Sequence, residues 1–462
     1  MKTKSTHSQR PRGLVLIVLA LVLLSGCREE HVVWSPDGQH AVVMAQDGLH
    51  LSDAAGHLTP SLVPEVRHVA WLGDSTRLVL VRSHEFKDWA TGTKLLGPVR
   101  TAALAAAAEA AWKEVVAGAT WEAVLKKAPG ETNEFYKVYL RERHGAELQA
   151  RLTDQEWKNV GEQTLVASEL VMARLEGEKI VVVATLHDRM GELALDDIRL
   201  SPDGRAVAFT AQMMPESGNT ELMLALLDAS MPAVKVAGPF VLAPDWTADS
   251  RGLVSVEAPV PANEEKGNTD GLTLGALVQR RVFDDTGHFA ITQEPHYLAG
   301  VLVTGNTRVR CLRDGRILFN SAELTLPLAM GDYGDQRDQL FALDPARQST
   351  LVRLIPRKYL ADLPGDLGGF EVSPDEKRVL FGGNKGDVCV LTLASGEVEV
   401  VQRAGKDDMQ TAPAWRSADE FTYEKRSSSS GDKRPVEIVR RRGEEETVLS
   451  AGWSDDFMKL LK

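Results

Sequence analysis

Short apolar runs recur along this chain and are separated by tight polar turns, a pattern typical of antiparallel strands. The first example is "VVWSPDGQHAVV" at residues 32–43, where Ser-Pro-Asp-Gly lies between two apolar runs. Pro and Asp favour the bend, and Gly can adopt the left-handed backbone that completes such a turn. The stretch therefore predicts a β-hairpin.

The same hairpin recurs six more times: "VAWLGDSTRLVLVR", "IRLSPDGRAVAFTA", "PDWTADSRGLVSVE", "VRCLRDGRILFNSA", "FEVSPDEKRVLFGG" and "PAWRSADEFTYEK". Each copy has an apolar anchor at the end of its first run: Trp34, Trp71, Leu200, Trp246, Cys311, Val372 and Trp415. A turn aspartate follows three residues after the first six anchors: Asp37, Asp74, Asp203, Asp249, Asp314 and Asp375. In the seventh copy the aspartate, Asp419, comes one residue later.

A second pair of strand-like runs follows the hairpins, as in "VCVLTLASGEVEVVQ" at 388–402. Four antiparallel strands per repeat are typical of a propeller blade. The repeats resemble the TolB-type, WD-repeat-like propeller family with its Trp-Ser-Pro-Asp-Gly hairpins, which also occur in prolyl-oligopeptidase-like proteases. The resemblance implies an all-β fold, a seven-bladed β-propeller over residues 28–450, with 451–462 as a C-terminal tail.

One spacing between anchors differs from the others. Trp71 and Leu200 are 129 residues apart, whereas the other anchors follow one another after 37 to 65 residues. The intervening stretch contains "AALAAAAEAAWKEVV", a strong helix former, and "TDQE" at 153–156, a helix-capping sequence. Removing residues 84–166 restores an ordinary spacing, so the sequence predicts a helical insertion within blade 2.

The N-terminus has the pattern of an export signal. Four basic residues precede the apolar run Leu14–Leu24, which ends at Ser25-Gly26-Cys27. Residues 24–27 resemble the lipobox of bacterial lipoproteins, in which the peptide is cut before the cysteine and its thiol is lipidated. The resemblance implies a signal peptide over 1–27, lipidation (palmitate) at Cys27, and anchoring to the outer membrane because Arg28, rather than Asp, follows.

Charge argues against nucleic acid as a partner. Loss of residues 1–27 removes four of the 53 basic residues and no acidic one, which leaves a net charge near −16. A surface of that sign repels phosphate backbones. With Cys27 assigned to lipid, only Cys311 and Cys389 remain, and both are expected to be buried thiols.

No motif for catalysis, a cofactor or a metal stands out. Five of the eleven histidines lie between residues 31 and 68, but on successive strand ends rather than at metal-ligand spacing. The acidic stretch "GDYGDQRD" at 331–338 offers oxygen ligands for calcium without the EF-hand pattern. We therefore expect no cofactor and no catalytic residue.

Two functions remain open at this point. The residues around the anchors look mostly apolar, which favours a non-enzymatic envelope lipoprotein that binds a protein or envelope partner through the propeller face and helical insertion. The alternative is a propeller enzyme or carbohydrate-binding module acting at the central channel, and convergent charged residues on the innermost strands would favour it. We expect the ring to close by face packing, with Trp34 and Trp415 at the seam.

Overall fold

The computed structural model describes residues 31–461 except 61, 128–129, 191, 214–219, 262–272, 292–293, 304–306, 323–337, 348–350, 361–366, 368, 384–385, 406–407 and 428–436. The signal segment and Cys27 therefore lie outside the described residues, as does most of the acidic stretch at 331–338. The described part is mostly β and propeller-like. It contains seven antiparallel sheets, six of four strands and one of three.

The sheets, numbered 1 to 7 in chain order, follow one plan in which each strand pairs with the next in sequence. The first strands are β1 (Val32–Trp34), β4 (Val66–Trp71), β8 (Glu192–Leu200), β12 (Val241–Trp246), β16 (Val309–Cys311), β20 (Phe370–Val372) and β24 (Asp408–Trp415). The second strands are β2 (His40–Ala45), β5 (Arg77–Phe86), β9 (Ala206–Met213), β13 (Gly252–Pro261), β17 (Ile317–Ala322), β21 (Arg378–Gly382) and β25 (Glu420–Ser427). Every sequence-predicted anchor is the last residue of a first strand.

The remaining strands complete the sheets. The third strands are β3 (Gly48–Asp53), β6 (Leu165–Glu176), β10 (Thr220–Leu226), β14 (Thr273–Arg281), β18 (Asp338–Leu343), β22 (Val388–Thr392) and β26 (Glu437–Arg442). The fourth strands are β7 (Lys179–Met190), β11 (Val234–Ala237), β15 (His296–Val303), β19 (Val352–Arg353), β23 (Glu397–Gln402) and β27 (Glu445–Val448). In sheet 1, among the described residues, single bridges at Leu58 and Val63 occupy the fourth position.

Apolar clusters fill the spaces between successive sheets. Val79 and Leu170 of sheet 2, for example, pack against Val207 and Phe209 of sheet 3. Similar clusters join each later pair of sheets, and one joins sheet 7 to sheet 1. Because strand side chains alternate between faces, each sheet can contribute to two such clusters. The first strands of successive sheets consequently lie next to one another.

Five helices lie between β5 and β6, which are neighbours in sheet 2. They are α1 (Trp89–Leu96), α2 (Pro98–Val116), α3 (Trp121–Lys127), α4 (Gly130–Gln149) and α5 (Asp154–Gly161). The helix α5 begins with a capping box in which Thr153 and Glu156 bond each other's backbone N–H. Phe135 and Val138 of α4 pack on Leu165 and Ala167 of β6, so the helices rest on the long β5–β6 pair.

Residues 449–461, which we call the latch, connect the end of sheet 7 to sheet 1. The latch includes the short helix α6 (Asp455–Met458). Phe457, Met458 and Leu461 are buried against Val32 and Trp34. The backbone N–H of Gln46 donates to Leu460 O at 3.0 Å, and the Trp453 indole donates to Gly56 O at 2.7 Å.

The seam between sheets 7 and 1 differs from our expectation in one respect. Trp34 does lie there, because its indole N–H donates to Thr422 Oγ1 of β25 at 3.1 Å. The Trp415 indole instead donates to Glu371 O of β20 at 3.0 Å, so Trp415 packs between sheets 6 and 7. Each anchor tryptophan faces the preceding sheet, and the seam is held by Trp34 and the latch.

Candidate functional site at the first strands

Four consecutive sheets carry a charged residue directly before the anchor of the first strand, and the sign of the charge alternates. We call these residues the inner charged row: Arg199, Asp245, Arg310 and Glu371. The equivalent positions in the other three sheets are Val33, Ala70 and Ala414. The row is therefore confined to sheets 3 to 6, one side of the set of first strands.

The anchor tryptophans bring these positions together. The Trp246 indole N–H donates to the carbonyl oxygen of Arg199 at 2.8 Å, and Trp71 bonds Val33 O in the same way at 3.1 Å. An indole N–H that is buried usually finds such a partner. In both cases the acceptor lies one residue before the anchor of the preceding sheet. Each bond therefore holds two neighbouring first strands side by side.

Side chains of the row contact the next first strand. Asp245 Oδ2 accepts the backbone N–H of Cys311 at 2.7 Å. Arg310 Nη2 lies 3.2 Å from Glu371 Oε1, and Arg308, two residues earlier on the same strand side, also bonds Glu371 Oε1. The side chains of Arg308, Arg310 and Glu371 remain 16%, 15% and 27% exposed, so the row is partly open to solvent.

Burial governs the electrostatics of Asp245. Desolvation raises the pKa of its carboxyl above 3.8, while the charges of Arg310 and Arg199 and the backbone N–H groups of Cys311 and Trp246 act in the opposite direction. Part of the Asp245 surface nonetheless remains accessible. A partly accessible carboxyl whose pKa is raised keeps its proton to a higher pH than a free aspartic acid does, which favours a role in proton transfer.

Ion pairs lie where second strands lead into the long connections. His84 is buried between two carboxylates: its Nε2 is 2.9 Å from Glu169 Oε1, and its Nδ1 bonds Glu65. Arg82 Nη1 also lies 2.9 Å from Glu169. The bond to Glu169 raises the pKa of His84, Glu65 adds to this, and burial opposes it. This cluster lies at the base of the helical segment.

The turn aspartates lie at the opposite end of the second strands from the His84 cluster, and their role is local. Asp37, for example, accepts from Ser35 Oγ and from the Gln39 N–H. Asp74 accepts from the N–H groups of Thr76 and Arg77, and these bonds hold its pKa at about 2 against the effect of burial. The other turn aspartates bond their own hairpins similarly. They stabilise the turns and do not converge on a site.

The histidines near the start of the chain also remain apart. His31 Nδ1 bonds Glu424 at 2.8 Å, whereas His50 and His57 bond Asp47 and Asp53. Within the described ranges, no group of three His, Cys, Asp or Glu could hold a metal ion. Of the helices described here, none has the length and apolar character to cross a membrane.

Cys311 and Cys389 are both free thiols. Cys389 is buried, and desolvation raises its pKa to about 12. Burial also raises the pKa of Cys311 well above its ordinary value, and the nearby Asp245 carboxylate adds to this effect. Neither thiol is therefore activated as a nucleophile.

Sequence reasoning missed the inner charged row because it examined the anchors rather than the residues beside them. The signal is nevertheless present: when the seven hairpins are aligned on their anchors, the preceding residues read Val, Ala, Arg, Asp, Arg, Glu and Ala. The statement that the anchor surroundings are mostly apolar is wrong for sheets 3 to 6.

No family model and no curated protein matches this chain. Several solved structures resemble it in fold. Prolyl oligopeptidase B from Galerina marginata aligns with 94% of this chain and 52% of its own, at 8% identity and a TM-score of 0.47. Puromycin hydrolase aligns with 63% of this chain and 43% of its own, at 17% identity and a TM-score of 0.41.

A third match is the β-propeller domain of the Trilobed protease from Pyrococcus furiosus. It aligns with 64% of this chain and 94% of its own, at 15% identity and a TM-score of 0.30. The present chain thus spans less than half of puromycin hydrolase and about half of prolyl oligopeptidase B.

The expectation of a non-enzymatic scaffold is wrong on two counts. The predictions of a scaffold and of a chain that is not an enzyme are contradicted, and the matched chains named above are a hydrolase, an oligopeptidase and a domain of a protease. In addition, the premise of apolar inner strands fails at Arg199, Asp245, Arg310 and Glu371. Convergent charge on those strands is the feature expected of the alternative, action at the centre of the propeller.

Proposed function

We propose that this chain is a propeller enzyme that binds a small anionic substrate at the inner charged row. The observation that carries the proposal is the pair of guanidinium groups, Arg199 and Arg310, on the two sides of the partly accessible Asp245. Arginine binds carboxylate and phosphate groups through paired N–H donors. No comparable arrangement is needed merely to pack apolar blades.

The local charge suits an anion although the whole protein is acidic. Arg199, Arg308 and Arg310 outnumber Asp245 and Glu371 by one. The chain as a whole carries a formal net charge of −12. A locally positive site in an acidic protein still concentrates anions, because the electric field in a partly enclosed, low-dielectric site is poorly screened.

Asp245 is our candidate for the acid–base residue. Its carboxyl accepts the Cys311 N–H from the next first strand, and the neighbouring arginines can hold a substrate carboxylate beside it. A protonated Asp245 would donate a proton to a leaving or carbonyl oxygen, and the ionised form would accept one. Arg308 and Glu371 would position Arg310 through their shared contact.

The test separates binding from turnover. Purified protein is titrated by calorimetry with sugar acids, amino-acid carboxylates and phosphate esters, and mixtures are followed by mass spectrometry for conversion. Arg310→Gln should weaken binding of the active compound about ten-fold or more, the loss expected for one charge-assisted pair. Asp245→Asn should retain binding and lose conversion.

Arg313→Gln is the matched control, because Arg313 lies in the hairpin turn of the same sheet and its side chain is 74% exposed. If no compound binds in a manner that depends on Arg310, the site is wrong. If Arg310-dependent binding occurs but Asp245→Asn converts substrate at the wild-type rate, the acid–base role of Asp245 is wrong.

We further propose that the seven sheets form one closed, seven-bladed ring of the TolB-like type, with α1–α5 as an insertion in blade 2. The apolar cluster between sheets 7 and 1 supports closure. Limited proteolysis tests it, because cleavage inside the helical segment should leave the two fragments associated. Fragments that separate without denaturant would contradict a single ring.

The export prediction also stands as a proposal: cleavage before Cys27, lipidation there and anchoring in the outer membrane. The lipobox-like residues 24–27 support it. Cys27→Ser should move the protein from the membrane to the aqueous fraction. Unchanged membrane partitioning of that variant would refute lipidation.

A further inference from the structure

A cavity of about 300 Å³ lies beside the seam, and none of its lining residues belongs to the inner charged row. We call it the seam pocket; its lining is entirely polar and consists of Arg416, Glu420, Arg440, Arg442, Glu445 and Thr447. These residues come from β25, β26, β27 and the turn before β25. A cavity of this size is at the lower end of those that bind small molecules.

Two of the three arginines are held rigidly against sheet 1. Arg416 Nε donates to Gly38 O at 2.8 Å, and its guanidinium lies 4.8 Å from the centre of the Trp34 ring. Arg440 Nη1 donates to Ala54 O at 2.9 Å. Both arginines therefore connect the last sheet to the first, and their orientation is fixed before any ligand binds.

The carboxylate in the pocket interior is already neutralised. Glu420 Oε1 bonds Arg416 and lies 3.2 Å from Arg440 Nε. The side chain of Arg442 has no hydrogen bond or ion pair within the described chain, and it lies opposite the exposed Glu445 in the β26–β27 pair. Each guanidinium has five N–H donors, so the three arginines have more donors than these partners use.

We propose that the seam pocket binds a tetrahedral oxyanion of the phosphate class and that this anion reinforces Arg416 and Arg440, the two arginines that connect sheet 7 to sheet 1. Arg416 and Arg440 supply oriented donors, and Arg442 supplies the unpaired charge at the entrance. Thr447, opposite Arg440 in the pairing register, adds a hydroxyl donor. The pocket would then stabilise the seam whenever the anion is present, because a ligand that binds only the folded state favours it.

Inorganic phosphate is the probe. Binding is measured by calorimetry and thermal unfolding, with sodium chloride adjusted to equal ionic strength so that general screening is excluded. We expect saturable phosphate binding and an increase in Tm. Arg442→Gln should weaken binding about ten-fold, the loss expected for a charged hydrogen-bond partner. Because Arg442 is exposed, this variant should remain folded.

Two control variants locate the effect. Arg347→Gln removes an arginine that is 87% exposed in the connection between β18 and β19, and this variant should bind phosphate like the wild type. Arg310→Gln removes the proposed substrate site and should also leave this binding unchanged, so failure of one proposal is distinguishable from failure of the other. Absence of saturable binding, or equal binding by the wild type and Arg442→Gln, would overturn the seam site.

Methyl phosphate distinguishes the source of the ligand. Binding of inorganic phosphate alone supports a free anion, whereas equal binding of methyl phosphate supports a phosphorylated group on a larger molecule. Both results support the seam pocket as an anion-binding site, and failure of both compounds to bind would overturn that proposal.

Discussion

Phe457→Ala tests whether the latch holds the two ends of the sheet series together. Phe457 is 9% exposed and lies in the apolar cluster of Val32, Trp34 and Ile438. Its ring meets the Trp453 ring edge-on at a centroid distance of 5.3 Å and the His50 ring at 4.7 Å. The substitution therefore removes contacts to sheet 1, sheet 7 and the latch itself.

The expected loss can be estimated from these contacts. Truncation of a buried phenylalanine costs about 3 to 5 kcal/mol when the site cannot collapse. The two edge-on ring pairs would account for about 1 kcal/mol or more of that loss. Because the latch lies at the surface and can partly relax, we expect the lower end, about 3 kcal/mol.

Urea unfolding followed by tryptophan fluorescence gives the measurement, with the slope of the transition compared between variants. The matched control is Lys459→Ala at the C-terminal end of the same helix, whose side chain is 65% exposed and pairs with the exposed Asp456. The midpoint of this variant should equal that of the wild type. A loss below about 1 kcal/mol for Phe457→Ala would show that the latch does not hold the seam.

Three further outcomes are expected. Burial raises the pKa of Asp245 in the folded state, so this group lowers stability as pH rises above 3.8. In urea melts, Asp245→Asn should gain stability relative to the wild type as pH rises from that value, and a difference that does not change with pH would contradict the raised pKa. His84 is a base, so its raised pKa stabilises the fold below pH 6.5, and this contribution is lost as pH rises through the folded pKa. His84→Gln should therefore flatten that part of the plot of stability against pH. An unchanged plot would argue against the raised pKa of His84. Replacing residues 87–164 by a Gly/Ser linker should leave a folded β protein with a weaker helical circular dichroism signal, because β5 ends at residue 86 and β6 begins at residue 165. A variant that fails to fold would show that α1–α5 belong to the core.

The parts of the fold that depend on local sequence could be predicted. The turn motif is readable because its bonds are short in sequence: Asp37 accepts from residues two positions away on each side. The helical segment was readable for the same reason, since the Thr153–Glu156 capping box is encoded within four residues. Alternating apolar runs then indicate strands, and the spacing of the anchors indicates how often the unit repeats.

Features that depend on contacts between distant residues could not be predicted. Nothing in "LSAGWSDDFMKLLK" specifies that Phe457 and Leu461 will pack on Val32 and Trp34, because the helix is a single turn without periodicity. The inner charged row could be predicted in part. Its residues are visible in the aligned hairpins, but the contact of Asp245 with Cys311 appears only when two sheets lie side by side.

The latch also has a consequence for the order of folding. The bond from Trp453 to Gly56 spans 397 residues, whereas the bond between Asp37 and Ser75, which joins sheets 1 and 2, spans 38. Closing the longer segment of chain costs about 2 kcal/mol more in entropy if the intervening chain is unfolded. That difference disappears once the sheets between them have formed and brought the two ends together. Sheet 1 should therefore be synthesised before the other six sheets and be the last to acquire its full set of contacts, and until then its apolar face remains open to other chains.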